Sequence, residues 1–325
     1  MSRIVVIGAT GHVGGYLVPR LVRAGHDVIA VSRGQRAPYR ADDAWQQVTR
    51  LELDREAGDA DRTFAGAIAD LDADIVIDMM CFTEDSARQL VGALRGRVDF
   101  LLSAGTIWVH GPAVAVPTLE TDERYPIGDY GTGKAAIEAF LIAETQSGGL
   151  PATVLHPGHI TGPGWPMVNA VGNFDLSVWQ TLAAGKPLTL PNLGLETVHH
   201  VHADDVAQAF EKAISRQQVA AGKSYHVVSE RAMTLRGIAE TAAGWFGQDA
   251  RLAYAPFEEF LDGLESDHAD ASREHISRSP SMSIAAAVAD LGYAPRYTSA
   301  AAIADGLRWL IADGQVDTHG RSFQA

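Results

Sequence analysis

The stretch RIVVIGATGHVGGY, residues 3–16, decides the fold of this chain. Its first five residues form a short apolar run rich in β-branched side chains, which is typical of a buried strand in a parallel sheet. Glycines follow at Gly8, Gly11 and Gly14, and Val13–Ala24 then places apolar side chains on one face of a helix. Strand, glycine turn and helix are the context in which a glycine pattern predicts phosphate binding.

Each glycine of this turn has its own predicted role. Gly8 permits a tight turn, Gly11 lets the backbone approach a pyrophosphate, and Gly14 lets the helix lie close to the strand. The helix N-terminus presents free N–H groups and a positive dipole end to the phosphates. The alternative is a glycine-rich turn without a ligand. The predicted cofactor contacts here are Gly8, Thr10, Gly11, His12, Val13 and Gly14.

Composition and charge restrict the kind of protein. With 325 residues, 46% apolar and 20% charged, the chain is typical of a large globular enzyme of one or two lobes. No apolar run reaches about 18 residues, and the sequence starts in a strand, so we expect neither a membrane span nor a signal peptide. The single cysteine suits the reducing cytoplasm. A net charge of −14 argues against nucleic acid or a membrane as the main partner.

The second strand, Asp27–Val31, ends where the cofactor is usually selected. A carboxylate there would bind the ribose 2′-hydroxyl, whereas an arginine accommodates a 2′-phosphate. This chain has Ser32 and Arg33, supported by Arg36, and the strand end carries no carboxylate. We therefore predict NADP(H), with NAD(H) as the alternative. The alternative is that Arg33 and Arg36 are loop residues whose charges contact only solvent and bind no phosphate.

Three further strands follow, with predicted helices at Ala60–Leu71 and Thr83–Leu94 between them. Val48–Leu53 ends at Asp54, which either faces the adenine edge or is a surface residue that ends the strand. Asp74–Asp78 runs into three side chains that we expect to line the cofactor crevice: Met79, Met80 and Cys81. Cys81 is more typical of a packed thiol than of a nucleophile, because the sequence pairs no base with it.

The second informative stretch is Tyr130-Gly-Thr-Gly-Lys134, at the head of a predicted helix that runs to about Glu144. Residues four apart share one helical face, so an ammonium would lie beside the phenol and favour phenolate. The same lysine can hold ribose hydroxyls. The predicted fifth strand, Phe100–Ser103, brings a hydroxyl from Ser103 or Thr106 to the substrate oxygen. This combination predicts acid–base chemistry beside a bound nucleotide.

These motifs resemble the short-chain dehydrogenase/reductases, in the extended and atypical branch that includes the NAD-dependent epimerases and dehydratases. The resemblance covers nearly the whole chain. It rests on GATGHVGG, Leu53-Asp54, Thr106-Ile-Trp-Val-His-Gly111, Tyr130 with Lys134, His156-Pro-Gly-His159, Gly162-Pro-Gly164 and Val201-His-Ala-Asp-Asp-Val206. It implies that Thr106, Tyr130 and Lys134 are the catalytic residues. It also places His156, Pro157 and His159 near the cofactor.

Departures from the family pattern bear on the substrate. Ile107 and Trp108 follow Thr106 where sugar dehydratases carry an acidic pair, which argues against dehydration. Nucleotide-sugar epimerases have an asparagine where His159 stands and a diphosphate-binding arginine near Val198. Without that arginine the diphosphate loses a charge-assisted contact of about 1.5–3 kcal/mol. We therefore expect a small, uncharged or weakly polar substrate.

The remaining sequence predicts a smaller lobe. We assign residues 1–156, with a returning segment at about 198–229, to the nucleotide-binding domain, and 157–197 with 230–325 to a substrate lobe. Predicted late elements are a strand at Ser224–Val228, helices at Thr234–Trp245, Ser283–Asp290 and Ala300–Ile311, and an irregular mobile flap at Glu258–Arg278. The candidate substrate residues are Ser103, Trp108, His159, Trp165, Asn173, His199 and His200. Adjacent histidines on a strand point to opposite faces, so we expect no metal site. The alternative to a place in the substrate pocket is that these histidines are core or surface residues whose hydrogen bonds are made within the protein.

Taken together, the sequence predicts a doubly wound parallel α/β sheet, a Rossmann fold, with a smaller discontinuous lobe. The predicted reaction moves a hydride between a nicotinamide and a secondary alcohol or carbonyl, with Tyr130 as acid or base. An epimerase that oxidises and re-reduces one carbon is the first alternative. A non-catalytic nucleotide-binding or regulatory protein is the second, since a few such relatives act on RNA. Homodimers are common in the family that the chain resembles.

Overall fold

A seven-stranded parallel sheet forms the centre of the molecule, as a computed structural model of residues 1–325 shows. Its strand order is β11-β6-β5-β4-β1-β2-β3, so the order reverses between β1 and β4. The strands of the protein are β1 Arg3–Ile7, β2 Asp27–Ser32, β3 Thr49–Glu52, β4 Ile75–Asp78, β5 Phe100–Ala104, β6 Ala152–Pro157, β7 His159–Thr161, β8 Pro187–Pro191, β9 Thr197–Val198, β10 His200–His202, β11 Ser224–Val227, β12 Met233–Thr234 and β13 Arg251–Ala255.

Helices cover both faces of this sheet and build a second body beside it. They are α1 Gly14–Arg23, α2 Arg55–Ala60, α3 Phe64–Ala69, α4 Glu84–Leu94, α5 Gly128–Gln146, α6 Ser177–Ala183, α7 Ala203–Ser215, α8 Gln217–Ala220, α9 Leu235–Trp245, α10 Phe257–Asp262, α11 Ser266–Arg278 and α12 Ser299–Ala312. Short 3₁₀ turns lie at Asp43–Gln47 and Ile107–His110, and a π-turn lies at Ala287–Leu291. The predicted fold class, a Rossmann-like doubly wound parallel sheet, is confirmed.

The alternation of side chains along β1 explains why the sheet is covered on both sides. Ile4 and Val6 enter a core of 29 buried residues with α1 and α7, whereas Val5 and Ile7 enter a second core of 22 with α3, α4 and α5. A third core of 24 residues lies away from the sheet and contains Trp179 and Leu307. We propose that this third core marks the substrate lobe predicted from residues 157–197 and 230–325. Three residues assigned to the substrate lobe pack into the first core instead: Ala287, Leu291 and Tyr293.

Three predicted elements differ from the structure. The charged stretch at residues 258–278, expected to be an irregular mobile flap, forms α10 and α11, because Phe260, Leu261 and Ile276 pack into the third core while the charges stay outside. The helix predicted at residues 60–71 is shorter in the structure, because α3 covers only residues 64–69 and Arg62, with a φ of 56°, separates it from α2. The helix predicted at residues 283–290 is mostly the π-turn at 287–291.

Short paired strands connect the sheet to the third core. β7 and β10 run parallel, with His159 opposite His200, and carry the chain out of the sheet and back. His202 then caps α7 by accepting from the Asp204 amide at 3.0 Å, and its Nε2 lies 3.2 Å from an Asp305 oxygen on α12. This side chain therefore ties the helix after β10 to the last helix. None of the helices combines the length and apolar character needed to cross a membrane.

Candidate active site

The glycine turn after β1 has the geometry of a phosphate-binding turn. Gly8 has a φ of 84°, and a Cβ on Gly14 would lie 2.1 Å from the Ala9 carbonyl oxygen, so the helix start packs directly on the turn. The amides of Thr10, His12 and Val13 have no hydrogen-bond acceptor within the chain. These free N–H groups at the start of a ten-residue helix suit a pyrophosphate.

A cleft of about 720 Å³ opens at the carboxyl ends of β1 to β4, where the strand order reverses. Ligands of doubly wound sheets bind at this position. Eight sequence-predicted cofactor residues line it: Gly8, Thr10, Gly11, Ser32, Arg33, Arg36, Asp54 and Met80. His12 lies beside it, buried and stacked on Trp165 with ring centroids 5.7 Å apart. Burial lowers the pKa of His12 to about 4, so its ring is neutral at pH 7.

Charged side chains of both signs border one corner of this cleft. Arg33 is exposed and has no ion-pair partner in the chain, whereas Arg36 stacks on the Tyr39 ring at 4.7 Å. Glu52, which sequence reasoning missed, pairs with Ser32 across the sheet and lies against the turn at Gly34. The corner could thus receive a phosphate through Arg33 or a ribose hydroxyl through Glu52.

Asp54 lies at the start of α2 and at the border of the cleft, and its contact with an adenine stays a prediction. One of its carboxylate oxygens caps α2 by accepting from the amides of Glu56 and Ala57 at 2.9 and 3.2 Å, and the side chain also borders the cleft. The neighbouring Arg55, which the sequence did not single out, donates to Asp78 and to Asp59 at 2.8 Å. This buried network fixes the cleft floor between α2 and β4.

Tyr130, Thr106 and Lys134 come together beside the cleft. Thr106 caps the 3₁₀ turn after β5, where its Oγ1 accepts from the Trp108 amide at 3.3 Å. Although 44% of Tyr130 is exposed, partial burial raises the pKa of its phenol above the ordinary value of 10.0, and the Thr106 side chain beside it acts in the opposite direction and lowers that pKa. Lys134 is 2% exposed and donates to the Ala104 carbonyl at 2.7 Å.

The sequence predicts that Lys134 lowers the pKa of Tyr130, and the structure does not show this effect. Its Nζ lies 5.8 Å from the Tyr130 ring centroid, and the causes that shift the pKa of Tyr130 are burial and Thr106. Burial also lowers the pKa of Lys134, although Asp78 acts against that shift. The Ala104 carbonyl anchors the ammonium while Tyr130 keeps its proton at neutral pH.

A buried His–Glu–Arg series supports Thr106 from behind. The Thr106 amide donates to His156 Nδ1 at 3.0 Å, so that nitrogen carries no proton, and His156 Nε2 lies 3.1 Å from Glu138 on α5. Arg124 donates to both oxygens of Glu138, at 2.6 and 3.1 Å, and holds the pKa of that carboxyl well below its usual range together with His156. His156, predicted to contact the cofactor, is fully buried and positions Thr106 instead.

Other predicted site residues also have structural partners. The Cys81 thiol is in the sheet core, where burial raises its pKa to about 12, and Met79 likewise lies outside the cleft lining. Asn173 donates to Ser272 at 3.1 Å, so its side chain is used within the lobe. Four further predicted residues are buried in strands β5, β6 and β7 or beside them: Ser103, Pro157, His159 and His199.

Two histidines of the β7–β10 region bond backbone carbonyls through Nε2, whereas the buried His200 Nδ1 and His159 Nε2 have no partner in the chain. His199 Nε2 bonds the Ser229 carbonyl at 2.8 Å, and His200 Nε2 bonds the Val168 carbonyl at 2.8 Å. Burial lowers the pKa of both to about 4. No group of three or more His, Cys, Asp or Glu side chains is arranged to hold a metal ion.

Aromatic rings continue from the cleft past Tyr130. Phe82, which lines the cleft, lies 6.4 Å from the Tyr130 ring, and Tyr130 lies 5.7 Å from Trp108. His275 on α11 is 5.2 Å beyond Trp108, and Phe174 is 5.5 Å beyond His275. Of these residues the sequence analysis named only Tyr130 and Trp108, because the others approach from distant segments.

A doubly wound sheet with a glycine turn at its switch point and a Tyr–Lys pair at the same edge defines a nicotinamide-dependent class of enzymes. Comparison with known families agrees with this class. The profile of the NAD dependent epimerase/dehydratase family matches residues 4–227, and the chain belongs to that family.

Individual relatives have different functions according to their names. The chain is 26% identical over 264 residues to 2′-dehydrokanamycin reductase of Streptomyces kanamyceticus, an alignment that covers 81% of this chain and 72% of that protein. It is 24% identical over 270 residues to the chloroplast stem-loop binding protein of 41 kDa b of Arabidopsis thaliana, covering 79% of this chain and 67% of that one. Among solved structures, UDP-glucose 4-epimerase of Thermotoga maritima superposes with a TM-score of 0.72 at 18% identity, covering 96% of this chain and 99% of that one. This last likeness establishes the fold.

Proposed function

We propose that the protein is an NADP(H)-dependent oxidoreductase that interconverts a carbonyl and a secondary alcohol on a small molecule. The observation that carries the proposal is the juxtaposition of Tyr130 and Thr106, with Lys134 anchored beside them, at the edge of a cleft with a phosphate-binding turn. A dinucleotide is supported by the amides of the turn, which have no acceptor within the chain, and by the glycines, which let the turn pack tightly against its own helix and the neighbouring strand end. The reductase among the relatives supports the same reaction class.

Each residue has a defined part in this proposal. A bound nicotinamide supplies or accepts the hydride at the substrate carbon. Thr106 donates a hydrogen bond to the substrate oxygen, and Tyr130, protonated because its pKa is raised, gives its proton to that oxygen as the carbonyl becomes an alcohol. In the reverse direction the phenolate form of Tyr130 accepts the alcohol proton. Lys134, whose Nζ is anchored at Ala104, holds the ribose hydroxyls in place.

The first test removes the Tyr130 hydroxyl. In Tyr130→Phe we expect carbonyl reduction to fall at least about 10²-fold, because the proton donor is lost, while the Kd for NADPH stays within about twofold. Tyr254→Phe, another exposed tyrosine, is the matched control and should retain full activity. Activity and cofactor binding are measured separately, by absorbance of NADPH and by fluorescence titration. Wild-type turnover in Tyr130→Phe would rule out the proposed mechanism.

An epimerase is the second candidate, favoured by a fold shared with UDP-glucose 4-epimerase. An epimerase recycles its nucleotide within each turnover, whereas a reductase exchanges it every cycle. Denaturing the purified protein and identifying the released nucleotide separates the two: stoichiometric NAD would favour the epimerase. A preparation that holds no nucleotide and afterwards binds NADPH supports the reductase. A protein that binds neither nucleotide would fit the non-catalytic alternative.

A further inference from the structure

Five rings form a continuous row from the cofactor cleft into the third core, and we call this row the aromatic shelf. In spatial order it consists of Phe82, Tyr130, Trp108, His275 and Phe174, with successive centroids 5.2–6.4 Å apart. Three of the rings are well exposed: Phe82 at 50%, Tyr130 at 44% and Phe174 at 40%. Exposed aromatic side chains in contact with one another are typical of a binding surface.

The middle of the shelf is held in place from behind. The Arg278 guanidinium lies 3.8 Å from the centroid of the Trp108 ring, and it donates to the carbonyls of Ile127 and Glu274. His275 bonds the Ala271 carbonyl through Nδ1 at 2.6 Å. The two central rings are therefore fixed before any ligand arrives, which lowers the entropic cost of binding.

The shelf presents no charge to a ligand. The cations in contact with it, Lys134 and Arg278, are both 2% exposed, and each donates to backbone carbonyls. His275 is neutral at pH 7 because burial lowers its pKa to about 4. A diphosphate placed along this row would meet ring faces instead of the charge-assisted donors that it requires.

We propose that the aromatic shelf binds the substrate by stacking, and that the substrate carries a ring with a flat C–H or π face next to the reacting carbonyl. Such a ring is either an aryl ketone or a sugar ring that bears no nucleoside diphosphate. The reacting oxygen lies at Tyr130 and Thr106, and the ring extends over Trp108 toward Phe174. The inference rests on the proposed function, since it names the substrate of the same site.

The experiment compares four carbonyl compounds with NADPH: acetophenone, a methyl ketoglycoside, 2-octanone and a UDP-keto-sugar. We expect acetophenone or the methyl ketoglycoside to have the lowest KM. A lower KM for acetophenone identifies the substrate ring as an aryl group, and a lower KM for the methyl ketoglycoside identifies it as a sugar. Phe174→Ala should raise that KM about tenfold with little change in kcat, because a stacking face is lost. Phe174→Leu should raise it less, and Tyr254→Ala, which removes an exposed ring elsewhere, should leave it unchanged.

Two kinetic outcomes would overturn the shelf. One is a KM for the UDP-keto-sugar below that of both ring compounds; the other is an equal effect of Phe174→Ala on 2-octanone and on the ring compounds. Saturation-transfer NMR of acetophenone measures ring binding without turnover. Ring binding that depends on Phe174 but occurs without Tyr130-dependent reduction would reject the proposed reaction and keep the shelf. Tyr130-dependent reduction that is insensitive to Phe174 would keep the proposed reaction and reject the role of the aromatic shelf.

Discussion

Arg33 lines one corner of the cleft and Glu52 lies next to it against Gly34, and we propose that these opposite charges decide which nucleotide is favoured. Arg33 has no partner within the chain, so its full charge is available to a phosphate. Glu52 lies against Gly34 and would repel that phosphate but accept from a ribose hydroxyl. The sequence revealed Arg33 because it directly follows β2, whereas Glu52 reaches this corner only through its pairing with Ser32 in the folded sheet.

Two substitutions at this corner test the predicted preference. We expect Arg33→Ala to weaken NADPH binding about tenfold or more and to leave the Kd of NADH unchanged, because only NADPH carries the 2′-phosphate. Glu52→Gln should tighten NADPH binding a few-fold by removing repulsion. Isothermal titration with both nucleotides gives the four constants. An equal loss for NADH and NADPH in Arg33→Ala would show that Arg33 does not contact the 2′-phosphate.

At the scale of the element, α5 carries Tyr130, Lys134 and Glu138 at successive four-residue spacings, so one helical face serves both the reaction and its support. Glu138 connects this face to β6 through His156 and thereby to the Thr106 amide. A shift of Glu138 therefore moves two catalytic groups at once.

Glu138→Gln removes the carboxylate from this connection. We expect kcat to fall several-fold with an unchanged NADPH Kd, and the free energy of unfolding to fall by about 3 kcal/mol at pH 7.5. Because the folded-state pKa of Glu138 is depressed, its stabilisation is present above the ordinary value of 4.5 and is lost as the pH falls below it. The stability difference from wild type, measured by urea unfolding, should therefore shrink below pH 4.5.

Glu144→Gln is the matched control for this prediction. Glu144 lies on the same helix and forms a similar pair with Arg95 at 2.7 Å, far along the helix from Tyr130. It should lose stability without losing kcat. An equal fall in kcat for the two variants would show that Glu138 acts on global stability alone.

Elements could be predicted where their signal is local. The Tyr130–Lys134 spacing, the Thr83 cap of α4 and the apolar run of β1 are each contained in a few residues, and the structure has helices and a strand there. The helical stretch at residues 257–278 escaped prediction because charged side chains interrupt its apolar residues, and only contact with the third core selects the helix. The same reason explains three residues of the site. The sequence could not reveal the structural partners of His156 and Asn173, or the ring contact of Phe174, because those partners come from distant segments.

For the whole molecule, the buried neutral histidines set the response to acid. Burial lowers the pKa of His12, His110, His199, His200 and His275 to about 4, and that of His159 and His226 well below the ordinary 6.5. Between pH 6.5 and 4 the unfolded chain binds protons that the folded chain does not. Each such histidine then removes up to about 1.4 kcal/mol of stability per pH unit.

We therefore expect the urea midpoint to be nearly constant from pH 8 to 7 and to fall steeply from pH 6.5 to 4. The measurement is equilibrium unfolding followed by tryptophan fluorescence at half-unit intervals of pH. His200→Gln, whose amide nitrogen can take the place of Nε2 toward the Val168 carbonyl but cannot take up a proton in this range, should flatten the curve slightly. A midpoint that is constant down to pH 5 would mean that these rings are protonated in the folded protein.

β7 and β10 lie side by side, and this arrangement lets the segment between them vary among related proteins. The chain leaves the sheet region at His159–Thr161 and returns at His200–His202, and the two strands are hydrogen-bonded neighbours. Because β7 and β10 are parallel and His200 lies opposite His159, the two ends of the intervening segment, Thr161 and His200, lie about 8 Å apart. An insertion with adjoining ends can lengthen, shorten or be exchanged without disturbing the strands on either side. Gene rearrangement can thus combine one reaction centre with many recognition surfaces, since the reaction centre and its coenzyme turn stay on the part that does not change.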